Sequence, residues 1–131
     1  MKRIFATIIL LASLLSSAMA QKEVGGVVRF DSLVHDFGQI TTADGPQAHV
    51  FTVTNISSEE MVIFAVMTTC GCTKVNWTRE AIPAGKNGTI SVTYANDEGP
   101  YPFDKTIKVY LSSLEKPVIL HLKGAVKTKK K

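Results

Sequence analysis

The sequence predicts an all-β chain folded as an immunoglobulin-like antiparallel β-sandwich of about seven strands, and three observations predict it. Runs rich in valine, isoleucine, threonine and phenylalanine recur along the chain, several of them alternating apolar with polar residues. Clusters of glycine, proline, asparagine, aspartate and serine separate these runs at short intervals. No window sustains the three-to-four spacing of an amphipathic helix.

Residues 1–20 stand apart from this pattern. Lys2 and Arg3 precede an unbroken apolar and small run from Ile4 to Leu15, followed by Ser16-Ser17-Ala18-Met19-Ala20. A secretory signal peptide is expected: the run is too short for a permanent membrane helix, and the small Ala18 and Ala20 place cleavage between Ala20 and Gln21. No cysteine follows that site to carry a lipid, so a periplasmic or secreted protein is expected, with no transmembrane segment in the mature chain. Residues 21–126 then form one domain, large enough for a core of its own, and 127–131 a basic tail.

Strands are expected over Val27–Leu33, His49–Asn55, Met61–Thr68, Thr89–Tyr94, Phe103–Leu111 and Val118–Val126, with a short piece near Lys74–Trp77. Phe51 and Val53 alternate with Thr52 and Thr54, as on a strand with one face buried. Ile90, Val92 and Tyr94 share a face in the same way, as do Ile107, Val109 and Leu111. "MVIFAVM" is apolar at every position, which predicts a central strand covered on both sides. In "IPAGKNG", Pro83 ends any preceding ladder, and Gly85 and Gly88 allow left-handed turns.

Charge narrows the partners. The body from Gln21 to Val126 carries 9 basic and 11 acidic residues, so the high overall pI comes from the two ends. Such a body offers no field for a nucleic acid backbone, and no nucleic acid partner is expected.

In order along the chain, "FDSLVHDFGQI", "HVFTVTN", "TTCGCTKVNW", "IPAGKNGTISVTY" and "VILHLKGAV" resemble the bacterial secreted immunoglobulin-like family catalogued as domain of unknown function fifteen seventy-three. The resemblance runs from Phe30 to Val126. His35-Asp36-Phe37-Gly38 and Cys70-Gly71-Cys72-Thr73 carry most of its specificity. It implies a sandwich similar to major sperm protein domains and to related domains of cilia and centrosome proteins, which act in binding and scaffolding, and it implies no reaction. Read on their own residues, Phe37 is a core anchor and Gly38 permits positive φ or a bulge as the chain turns.

The only two cysteines, Cys70 and Cys72, admit four readings. A disulfide between them closes three residues and stabilises by about 1.6 kcal/mol before strain, against about 3 for a fifteen-residue loop. It requires a bend at Gly71, since residues i and i+2 of a regular strand lie at the upper edge of the permitted Cα separation. Thiol exchange is conceivable for such a labile bond, but the spacing is not Cys-x-x-Cys and only Lys74 is at hand to lower a thiol pKa. Two thiolates also suit Cu(I), or half of a zinc tetrahedron completed by His35, His49, His121 or Met67. The preferred reading is an oxidised local clamp with no cofactor, Cu or Zn at the pair being the alternative.

Nothing else in the sequence assembles chemistry. No HExxH motif or phosphate-cradling glycine loop occurs, and Asp36, Asp97, Glu98 and Asp104 read as solvated charges in turns or strand starts. His121 alternates with Leu120 and Leu122 and belongs on a more polar face. Asn55, Asn76 and Asn87 head Asn-x-Ser/Thr sequons that read as turn chemistry, and Ser32 in Asp31-Ser32-Leu33 resembles a bacterial O-glycosylation acceptor. Trp77 is expected to be buried, capping the core beside the disulfide. The function expected is therefore a non-enzymatic binding or scaffold module acting on another extracytoplasmic protein, with a thiol redox or soft-metal role at Cys70 and Cys72 as the alternative. No feature of the sequence sets the oligomeric state.

Overall fold

The computed structural model describes residues 21–128; the expected signal peptide, with Ala20 at its end, and the last three lysines lie outside the described residues. The period-two runs form nine strands: β1 (Lys22–Val24), β2 (Val28–Phe30), β3 (Val34–Thr41), β4 (Gln47–Asn55), β5 (Ile63–Thr68), β6 (Thr73–Trp77), β7 (Asn87–Tyr94), β8 (Pro102–Leu111) and β9 (Val118–Lys127). A 3-10 turn over Thr42–Asp44 links β3 to β4. The strands make two sheets, in the orders β1-β2-β4-β7-β6 and β3-β9-β8-β5, that enclose one core.

The expected sandwich is present, with two strands beyond the seven foreseen. β1 returns onto β2 across Gly25 and Gly26, both at positive φ. The run Val27–Leu33 is not one strand. It stops at Phe30 because Asp31 turns the chain, its Oδ1 accepting the N–H groups of Ser32 (2.9 Å) and Thr52 (3.0 Å). The chain then crosses to the other sheet as β3, which runs parallel to β9 from Val34↔His121 to Thr41↔Lys127; the remaining ladders among the described strands are antiparallel.

Burial follows the alternation. Phe51 and Val53, Ile90, Val92 and Tyr94, and Ile107, Val109 and Leu111 all face the core, joined by Val28, Phe30, Leu120 and Leu122. Each large apolar side chain sealed in this way contributes about 2 kcal/mol. Gly38 sits at φ +72°, where the β3–β9 register shifts between Asp36 and Gln39, and its N–H donates to Asp36 Oδ1 at 2.8 Å. Phe37, half-buried, packs against the core margin with its ring 6.4 Å from that of Phe103. Gly85 takes the left-handed conformation expected of it, at φ +79°. Gly88 does not: it lies within β7, and the Ile82 side chain occupies the space a Cβ would need.

Two expectations are corrected here. "MVIFAVM" is not a central strand, because β5 is the last strand of its sheet. Ile63 and Val66 face the core, whereas Phe64 and Met67 are 62% and 56% exposed, so the apolar run reflects one buried and one open face. Trp77 does pack against the core, but at the end of β6 remote from the cysteines. Its indole N–H donates to the Ile63 carbonyl (3.1 Å), and the Arg79 guanidinium lies 3.7 Å above its ring.

Candidate functional site at the cysteine turn

β5 ends at Thr68 and β6 begins at Thr73, so the four residues between them must pass from one sheet to the other. Main-chain geometry holds that turn. The Thr73 N–H (3.2 Å) and the Thr68 hydroxyl (3.1 Å) both donate to the Cys70 carbonyl, and the Ala95 N–H donates to the Cys72 carbonyl at 2.8 Å. The Cα atoms of Cys70 and Cys72 are 5.1 Å apart and their sulfurs lie at disulfide-bonding distance. Gly71 is exposed with open space around it; the bend is made without positive φ, so glycine's left-handed freedom is not what permits it.

The two sulfurs have different surroundings. Cys72 packs against the core, with the hydroxyl of the buried Thr73 at 3.5 Å. Cys70 Sγ accepts the Cys72 N–H (3.2 Å) and lies 3.9 Å from Glu98 Oε2. The other oxygen of Glu98 accepts hydrogen bonds from Tyr94 Oη and Lys105 Nζ, both at 2.8 Å. Tyr94 is held in turn by its ring, stacked 4.0 Å from Phe103.

Electrostatics follow from this network. The hydrogen bonds from Lys105 and Tyr94 hold the Glu98 carboxyl below the usual carboxylate range. Burial, and then the bond to Glu98, push the Tyr94 phenol up, so it stays neutral and donates. An ionised carboxylate therefore stands beside Cys70. That charge disfavours a thiolate there, the opposite of what an attacking cysteine needs.

The ligands proposed from sequence do not converge on this turn. His35 and His49 stack on each other across the sandwich, centroids 3.7 Å apart and planes 7° from parallel, with Phe37 and Phe51 edge-on to them. His121 lies on the polar outer face, as its alternation implies, and meets Asp104 at 2.8 Å. Met67 projects from the open face of β5. Asp36 is exposed and engaged by Gly38. Asn55 is fully buried, which removes it as a glycosylation acceptor. Among the described residues the group brought to the cysteines is Glu98, which in sequence looks like a solvated turn charge. Its approach to Tyr94 is local, through Asn96 at φ +59°, but its approach to Cys70 spans 28 residues and has no signature in the sequence.

A two-sheet sandwich closed by loops at both ends is an immunoglobulin-like, PapD-like architecture, and solved structures agree. A protein of unknown function from Porphyromonas gingivalis W83 superposes with a TM-score of 0.64 at 17% identity, over 76% of this chain and 46% of that one. The PapD-like domain 7 of human CEP192 gives 0.58 at 10% identity, covering 83% and 91% of the two chains. A major sperm protein family member from C. elegans, WR4, gives 0.50 at 10%, over 77% and 98%. At these identities the likeness is one of fold, and the chain spans about half the length of the Porphyromonas protein. No curated protein matches the chain. The chain belongs to the family described as protein of unknown function (DUF1573), whose profile matches residues 28–126.

Proposed function

We propose that the protein is an exported, non-enzymatic binding module that receives an extended segment of another extracytoplasmic protein along the free edge of β5. One observation carries this reading. Of the four strands that end the two sheets, β1 bears Lys22 and Glu23, β3 bears Asp36 and a bulge, and β6 bears Lys74, all devices that deter strand addition. β5, Ile-Phe-Ala-Val-Met-Thr, has no charge and no proline, and its outer face displays Phe64 and Met67 beside Tyr110. Its start is covered by Trp77 and its register shifts near Ile63, so Ala65–Thr68 is the stretch offered. Added main-chain hydrogen bonds would supply affinity, and the two exposed side chains selectivity.

Export rests on residues 1–20, and the absence of catalysis on the site inventory. The one hydrogen-bonded His–Asp pair among the described residues, His121 with Asp104, lies on the outer face of the β8–β9 ladder, away from the cysteine turn. No helix among the described residues is long and apolar enough to cross a membrane. The test is recovery of partners from the native envelope fraction by the wild-type chain and by a Phe64→Lys, Met67→Lys double variant. A partner held by the first and lost by the second is expected; no partner at any salt concentration would sink the reading.

A second reading keeps a place because Glu98 stands beside the cysteines. Two sulfurs and a carboxylate suit a thiol redox or soft-metal role. The carboxylate's charge weighs against the redox half.

A further inference from the structure

We propose that the Cys-Gly-Cys turn, once reduced, is a zinc site formed by Cys70 Sγ, Cys72 Sγ and a Glu98 carboxylate oxygen, with solvent in the fourth position. The proposal deepens the metal half of the second reading and rests on the pair being reducible. The three ligand atoms already lie within 4.8 Å of one another. Tetrahedral zinc takes thiolate and carboxylate ligands together, with about 3.5 Å between sulfur and oxygen and about 3.7 Å between sulfurs; Glu98 Oε2 at 3.9 Å from Cys70 Sγ is near the first, and reduction lets the two sulfurs part from bonding distance to the second.

The surroundings are arranged as supports of a metal site are. Glu98 Oε1 is occupied by Tyr94 Oη and Lys105 Nζ, which turns Oε2 toward Cys70. Such outer partners orient a ligating carboxylate and tune it. Charge also closes: two thiolates and a carboxylate carry three negative charges, which Lys105 and a divalent ion together neutralise. The same ionised Glu98 that penalises a lone Cys70 thiolate favours a dithiolate that holds a cation.

The turn does not depend on the sulfur–sulfur bond for its shape. Both cysteine carbonyls are fixed by the N–H groups of Thr73 and Ala95, so the thiols stay neighbours after reduction. A dithiol reductant opens the bond by transferring two electrons and two protons and leaving as its own cyclic disulfide. Zinc then displaces the two thiol protons. The carboxylate selects zinc over Cu(I), which prefers sulfur alone. Met67, the thioether that Cu(I) would recruit, faces a dimple with Thr106, Lys108 and Tyr110 instead.

The experiment uses the mature chain, reduced by a phosphine under anaerobic conditions and titrated with Co2+ as a spectroscopic stand-in. Thiolate-to-cobalt charge-transfer bands and intense tetrahedral d–d bands are expected, both erased by one equivalent of Zn2+. Glu98→Ala should weaken zinc binding about tenfold or more, Cys72→Ser should abolish the charge-transfer bands, and Lys74→Ala should change neither. Circular dichroism of each variant reports whether the sandwich is intact. A pair that resists reduction overturns both this site and the thiol reading beneath it. Thiols that form and exchange with glutathione but give no cobalt bands, or bands and affinity indifferent to Glu98→Ala, overturn the zinc site alone.

Discussion

The two ends of the sandwich are closed by the same device but leave different groups around it. At one end Asn55, fully buried, donates to the carbonyls of Glu59 (2.7 Å) and Ile82 (2.9 Å) and accepts from the N–H (3.0 Å) and hydroxyl (2.7 Å) of Ser57. At the other, Asn96 donates to the carbonyls of Thr41 (2.9 Å) and Gly45 (3.0 Å) from a left-handed backbone. Each asparagine replaces water for loop carbonyls the fold removes from solvent. Asn55 spends every polar atom of its amide inside the scaffold. Beyond Asn96 the chain emerges again as Asp97 and Glu98, and the second of these meets Tyr94, Lys105 and Cys70. The first end turns its polar groups inward; the second carries a carboxylate, held by Tyr94 and Lys105, up to the cysteine turn.

The comparison can be broken most strongly at the first end. Asn55→Ala removes four hydrogen bonds from a fully buried site and leaves the Ser57 N–H without an acceptor, while the Ile82 and Glu59 carbonyls keep the Met61 N–H and the Ser57 hydroxyl; a loss of about 3 kcal/mol is expected in denaturant unfolding. Asn96→Gly removes two hydrogen bonds but suits the left-handed backbone, so about 1 kcal/mol is expected there. Equal losses would show that the two asparagines do equivalent work.

Next comes the support of the second end. A Cβ at Gly124 would meet the Phe103 ring at 2.7 Å, and that ring is stacked on Tyr94. Gly124→Ala is expected to cost about 2 kcal/mol. It should also loosen Tyr94 from Glu98, seen as a Glu98 carboxyl titrating closer to its ordinary range by NMR.

A smaller effect is expected from Cys70→Ser, Cys72→Ser together. The three-residue loop confers about 1.6 kcal/mol at most, and the turn keeps its main-chain bonds. A loss of several kcal/mol on denaturation would mean that the bond, rather than the backbone, shapes this end.

The smallest effect concerns pH and lies between the ends, at the stacked histidines. Burial first and His35 second hold His49 below the ordinary imidazole pKa, Asp31 opposing them, and His49 Nε2 is buried without a partner. The unfolded chain then binds the proton more readily, so stability is complete above about pH 6.5 and declines as pH falls through that value toward the lower folded pKa. His49→Phe keeps the stack and should flatten this slope in unfolding midpoints measured between pH 7 and 5.

Much of the fold was legible because burial on a strand has period two. Phe51 and Val53, or Ile107, Val109 and Leu111, announce their inward face whatever lies opposite. β3 is hidden in sequence because His35, Asp36 and Gly38 break the alternation at a bulge, and the edge position of β5 is hidden because exposed and buried apolar residues look alike in sequence. Half of the candidate site was legible too, since both sulfurs sit on one short segment whose spacing limits what they can do. Glu98 was not, because nothing in "YANDEGP" refers to residues 28 positions earlier.

Alternation and closeness along the chain suffice for the sandwich, the inward faces of its alternating strands, the family and the nearness of Cys70 to Cys72. The edge position of β5, the stacking of two histidines across the sheets and the carboxylate facing the cysteine turn come from long-range packing. Strand order and loop closure bring distant residues together through the packing of the whole chain. Local residue chemistry leaves that arrangement open.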